Sequence, residues 1–221
     1  MTRNLKALMV SALAVLAMGA VGAQGAQGAE FHSETAITTL TVKTDGTGKT
    51  AHHVLDYVAA TVTCSGITGH GLINGTTTAT TVTVEMQYEG PCTFVGQEAV
   101  ISMGSCDFTY TSHGTLSFTD STGGSCAANP ATFTVPSPPC TVTVSNAGGR
   151  NQNLEGANYH NLGSGSNREI TVESTVTGIH YTAHGAGCPK TGTFEDGTRT
   201  TANFIIKGET ASGATTGVWW E

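Results

Sequence analysis

Beyond residue 30 the chain alternates apolar and polar side chains almost throughout. Over residues 81–88, Val82, Val84, Met86 and Tyr88 fall on one side of an extended chain, and Thr83, Glu85 and Gln87 on the other. Ile170, Val172 and Val176 alternate in the same way with Thr171, Glu173, Thr175 and Thr177. Residues 132–135 and 141–144 repeat the theme on a smaller scale. A two-residue period puts successive side chains on opposite faces of a strand. Threonine and valine suit a pleated, half-buried surface. One apolar face and one threonine-rich face predict antiparallel sheets with one side on a core and the other in water. The expected fold class is all-β, an antiparallel β-sandwich, with a closed β-barrel as the alternative.

Turn chemistry divides these runs. Asp45-Gly46, Asn74-Gly75 and Asp196-Gly197 have hairpin composition, because both residue types tolerate positive φ. Gly163-Ser164-Gly165 is expected to join a strand over residues 154–161 to one starting at Arg168. No segment after residue 30 sustains a helical period, and no repeat of fixed length occurs. Residues 145–150 form a linker-like break. Cys188 has no other cysteine after it, so a bridge from Cys188 must reach back across the break. A single domain over residues 30–221 is therefore expected.

The N-terminal stretch changes the picture of where such a fold would work. Arg3 and Lys6 precede an apolar run from Leu8 to Val21, interrupted only by Ser11, and a small-residue tail ends at Ala29. That order predicts a secretory signal peptide over residues 1–29 with cleavage near Ala29. The run falls short of the roughly 20 apolar residues that a spanning helix needs, so no membrane association is expected after cleavage. Losing Arg3 and Lys6 moves the formal charge from −7 to −9. An acidic chain without a basic cluster is a poor partner for nucleic acid or an anionic membrane, both of which are bound through Lys and Arg. Six cysteines, Cys64, Cys92, Cys106, Cys126, Cys140 and Cys188, predict up to three disulfides in an exported chain. Four of them lie in the stretch from Cys92 to Cys140, and the fifteen possible pairings stay open.

Several patterns resemble chemical motifs and fail on spacing. Gly48-Lys49-Thr50 copies the end of a phosphate-binding loop, but Lys43 stands where that loop needs glycine. His180 and His184 have the spacing of a helical zinc pair, yet four residues of strand hold two imidazoles roughly 13 Å apart. His52 and His53 would point to opposite faces of a strand. His32, His70, His113 and His160 show no ligand spacing, and no metal or cofactor is expected. No serine has glycine two residues away on both sides, and no Cys-x-x-Cys pair occurs. Asn74-Gly75-Thr76 matches a glycosylation acceptor but is explained more simply as a turn. Trp219 and Trp220 would face opposite sides of a strand, one anchoring it and the other free to stack on a sugar.

The segments Ala29-Glu-Phe-His-Ser-Glu34, Thr61-Val-Thr-Cys64, Gly104-Ser-Cys-Asp-Phe-Thr-Tyr110 and Cys140-Thr-Val-Thr-Val144 have a counterpart elsewhere. So do Arg168-Glu-Ile-Thr-Val172, Gly178-Ile-His-Tyr-Thr182 and Gly217-Val-Trp-Trp-Glu221. Together they resemble a group of small exported proteins of soil actinobacteria of the Solirubrobacter and Conexibacter kind. The resemblance covers essentially the whole chain and implies export and a cysteine framework. It implies no activity, ligand or catalytic residue.

The function expected is a secreted, non-enzymatic protein with a binding or structural role at the cell exterior. Its partners would be cell-wall or extracellular polysaccharide, or further copies of itself. Tyr159, His160 and Trp219 are the candidate ligand-binding residues. The alternative is a glycan-acting hydrolase whose site is assembled from dispersed groups, among them Asp56, Asp107, Asp120, Glu173 and Glu195. A concave pocket where such groups converge with shifted pKa values would favour the enzyme, and their dispersal over convex surface would count against it.

Overall fold

The computed structural model describes residues 28–36, 39–45, 53–57, 60–73, 76–94, 96–145, 152 and 154–221. Most of the expected signal peptide, Gly48 to Thr50, His52, Asn74-Gly75 and most of the 145–150 break lie outside them. The described chain opens with β1 (Phe31–Ser33), β2 (Thr39–Thr44), β3 (His53–Tyr57) and β4 (Ala60–Leu72). Then come β5 (Thr78–Ala79), β6 (Thr81–Phe94), β7 (Gln97–Ser102), β8 (Cys106–Thr111) and β9 (Thr115–Asp120). β10 (Ala131–Pro136) and β11 (Pro139–Val144) form a hairpin, followed by β12 (Leu154–Glu155) and β13 (Ala157–Leu162). A single 3-10 turn at Gly165–Asn167 leads into β14 (Glu169–His184), β15 (Gly192–Glu209), β16 (Thr215–Thr216) and β17 (Val218–Trp220).

The fold is all-β and antiparallel, as the two-residue period requires. Its main sheet runs β12-β9-β8-β6-β7-β10-β11-β14-β15-β2-β4-β3. β4 also pairs with β6, and β15 with β3, so the hydrogen-bonded path returns on itself and the sandwich has closed sides. The β14–β15 wall faces the β6–β8 wall across the core, where Tyr110 and Phe204 bring their rings within 6.0 Å. A small second sheet, β17-β1-β5, lies beside it.

The alternation read from the sequence sets which side chains meet in that core. In β6, Val82, Val84 and Met86 are buried, Tyr88 is half-buried, and Glu85 and Gln87 are exposed. In β14, Ile170, Val172 and Val176 are buried as expected. The hairpin through Gly163–Gly165 is present, with Tyr159 opposite Val172. Asp196-Gly197 differs: it lies inside β15, not in a turn. Gly197 pairs with Ile179 at a register shift in β14, where the Tyr57 ring fills the space a Cβ would need. Glycine there serves close approach to a ring, which local composition cannot distinguish from a turn.

All six cysteines are bridged, as Cys64–Cys92, Cys106–Cys126 and Cys140–Cys188. The first joins directly opposed residues of β4 and β6. The third reaches back across the 145–150 break, as the position of Cys188 demands. β4 and β6 also approach closely further along. A Cβ at Gly69 would overlap the Glu85 carbonyl oxygen and press on the Met86 backbone. Gly69→Ala is therefore expected to cost about 1–3 kcal/mol, read from urea unfolding midpoints. A variant as stable as wild type would show that this approach can relax freely.

Candidate functional site

The three ligand-binding candidates do not share a surface. Tyr159 is buried, its hydroxyl donating to the Thr111 carbonyl at 2.8 Å and its ring against Phe31 and Trp220. His160, its neighbour in β13, is exposed on the opposite face. Trp219 is half-buried, with His32 stacked on it at 5.3 Å and the Arg168 guanidinium 4.4 Å from its ring centre. Trp220 is the anchor, donating from its indole nitrogen to the Ser112 carbonyl. The Trp219 indole therefore already has two ring contacts within the chain.

The candidate acids scatter for the most part. Asp56 accepts from Thr61 and Thr198, and Asp120 from the Cys126 amide at 2.8 Å. Glu195 faces His180 at 3.2 Å, and Glu173 is exposed on β14. No group of three or more His, Cys, Asp or Glu able to hold a metal occurs among the described residues.

Asp107 and His70 are different, because the strand pairing brings them to one concavity. β6 is long enough to serve two partners on one edge: residues 81–84 pair with β8 and residues 92–94 with β7. The β7–β8 connection folds over the interval between. Beside it lies a groove of about 730 Å³. His70 and Glu85, directly opposed across β4 and β6, form one wall with Thr83 and Gln87. Asp107, Ser102, Ser121 and Thr122 form the other, and Tyr88, Ile101 and Met103 supply apolar surface. Gly104 makes the wall possible: its φ is +59°, and a Cβ would run into the Asn129 and Pro130 carbonyls.

Asp107 is the electrostatically unusual member. It is buried, and its Oδ1 has no hydrogen-bond partner. Burial first, and the nearby Glu85 carboxylate second, push its pKa above the ordinary value of 3.8. A raised folded-state pKa means that the protonated form is favoured by folding. The native state is therefore least penalised below pH 3.8, and loses stability as pH rises through the raised value. Asp107→Asn is expected to flatten that slope and to raise Tm at pH 7 by about 2–4 °C, with no gain at pH 3. Scanning calorimetry of both proteins across pH checks it; parallel profiles would mean Asp107 ionises without strain.

Beneath the groove the core holds a charge that sequence reasoning missed. Arg199 of β15 is 1% exposed. Its Nε donates to the Tyr88 hydroxyl at 2.8 Å, Nη1 to Ser174 at 3.4 Å and Nη2 to the Met86 sulfur at 3.2 Å. Its guanidinium lies 4.6 Å from the Phe108 ring centre. Tyr88 thus has its ring on the groove and its hydroxyl on the buried arginine. The signal was there, since Gly197, Arg199 and Thr201 fall at a two-residue period, but nothing local says which face of β15 points inward. Alternation likewise puts Glu85 on an outer face, where the structure has it, and gives no hint that this face is concave.

Fold and site together define a disulfide-braced all-β protein with a hydroxyl- and carboxylate-lined groove over a buried guanidinium. No protein-family model, curated protein or solved structure matches the chain.

Proposed function

We propose that this is an exported, non-enzymatic β-sandwich protein that binds polysaccharide at the cell exterior through the β4–β6–β8 groove. The carrying observation is the groove itself: about 730 Å³, with hydroxyl, amide, imidazole and carboxylate groups on its walls and Tyr88, Ile101 and Met103 among them. Sugars present the matching surface, apolar C–H faces edged by hydroxyls. The acidic pair Glu85 and Asp107 favours neutral or amino sugars over uronates. Three disulfides fit an oxidising compartment, and no described helix is long and apolar enough to cross a membrane. The test is retention of the purified chain on immobilised neutral and amino-sugar polysaccharides. His70→Ala with Glu85→Gln, both on the exposed wall, is expected to weaken retention about tenfold. Equal elution of wild type and variant would remove the groove from the account. Sedimentation at high concentration separates the competing occupant, a second copy of the chain.

One observation favours a second reading, a glycan-acting hydrolase. Burial, and then the Glu85 carboxylate, shift the Asp107 pKa upward, the direction a general acid requires, and Glu85 is a second carboxylate on the same groove. Release of reducing ends from a bound polysaccharide, abolished by Asp107→Asn, would establish the enzyme. Retention without cleavage leaves the binding protein.

A further inference from the structure

The β6–β8 ladder stops with Val84 opposite Phe108, both of them buried. The next position on each strand is an acid, Glu85 on β6 and Asp107 on β8, and both line the groove. Like charges placed opposite each other on neighbouring strands are destabilising. No Lys or Arg lines the groove to relieve this pair, and among the described residues neither carboxylate enters an ion pair. Asp107 takes the argument beyond a patch of surface acid. It is 7% exposed, its Oδ1 has no hydrogen-bond partner, and it stands on the groove wall. A buried carboxylate oxygen without a donor is costly, and such groups almost always have a partner.

The partner this pair lacks is a cation that donates hydrogen bonds. A primary ammonium is a compact charge with three N–H donors and demands no fixed coordination geometry. A metal ion suits the pair less well, because no third His, Cys, Asp or Glu joins it in a metal-holding group among the described residues. The rest of the groove says what the ammonium is attached to. Tyr88, Ile101 and Met103 supply apolar surface, and Leu72, 57% exposed, adds to it. Such a surface takes the C–H face of a sugar ring, and the hydroxyls of Ser102 and Ser121 suit its edge.

We infer that the groove takes an amino sugar with a free primary amine, its ammonium set between Glu85 and Asp107 and its C–H face on the apolar side chains. The inference rests on the polysaccharide reading and narrows it to cationic, N-deacetylated chains. An N-acetyl group in the same place brings no charge and leaves the two carboxylates opposed. Burial first and Glu85 second raise the Asp107 pKa, and a bound ammonium offsets the second cause. Amine binding and ionisation of Asp107 therefore favour each other.

The test is titration calorimetry of the full chain with short β-1,4-linked glucosamine oligomers, their N-acetylated counterparts and glucose oligomers of equal length. Mildly acid buffer keeps the sugar amine protonated, and ionic strength is held fixed. The glucosamine oligomers are expected to bind about tenfold more tightly than the other two. Asp107→Asn keeps the shape, removes the charge and should erase most of that preference. Glu85→Gln, at an exposed position, should reduce it about threefold and serves alone should Asp107→Asn fail to fold. The formal charge of −7 draws any cationic oligomer, but neutralising one acid barely changes that general pull. Loss of the preference in a single variant therefore supports the site. Equal wild-type affinity for free-amine and N-acetylated oligomers overturns the ammonium site and leaves the polysaccharide reading standing. A preference that survives in both variants also overturns it, placing amine recognition elsewhere. Binding of no oligomer, with a lysine-rich peptide held through the same two acids, overturns the sugar and the polysaccharide reading together.

Discussion

Replacing Cys140 and Cys188 together by serine should lower stability by about 4 kcal/mol, the largest loss among the three bridges. The physical reason is loop length. The bridge spans 48 residues, against 28 for Cys64–Cys92 and 20 for Cys106–Cys126, and closing a longer loop removes more freedom from the unfolded chain. It also ties β11 to the connection that follows β14, on either side of the 145–150 break. Cys140 is fully buried, so the serine hydroxyl placed there adds a desolvation cost to the entropic one. The corresponding Cys106/Cys126 double variant should lose about 3 kcal/mol. Guanidinium unfolding of both checks the order; a reversed ranking would show that the bridges act through native contacts and not through the unfolded chain.

Phe108→Ala should cost about 3–5 kcal/mol, close to the loss from the long bridge and by a different mechanism. Phe108 is 1% exposed and packs on Phe118 at 4.7 Å. It also lies against the Arg199 guanidinium. Truncation therefore opens a cavity and withdraws a cation–π contact from a charge with few other partners. Phe108→Leu keeps most of the volume but none of the ring, and should retain much of the packing while still losing the contact with Arg199. Equal losses from Leu and Ala would mean that ring electrostatics outweigh volume at this position. Asp107 adjoins it in β8 and points into the groove, so the groove should be monitored in both variants.

Much of the fold was legible because two-residue alternation is a local property. Val82, Val84 and Met86 announce an inward face, and Thr83, Glu85 and Gln87 an outward one, whatever packs against them. The same local reading failed at Asp196-Gly197, where glycine makes room for the Tyr57 ring from a strand 140 residues away in sequence, by the numbering of the two positions. The sequence marks Tyr159 and His160 by the polar, asparagine-rich stretch around them, and Trp219 as one of two adjacent tryptophans. Pleating then sent Tyr159 and His160 to opposite faces, and Arg168 and His32 both contact the Trp219 ring. Residue type alone does not say whether a ring is already occupied.

By itself the sequence determined the all-β class, the inward and outward faces of the principal strands, and the need for Cys188 to reach back toward an earlier cysteine. Each of those follows from spacing within one segment or from counting. Only the tertiary structure decided which cysteines join, how the sheet path closes, where β6 changes partners to leave a groove, and that Arg199 faces inward without a carboxylate. Those depend on which distant strands become neighbours, and strand pairing is fixed by the packing of the whole core, not by the alternation within any one strand.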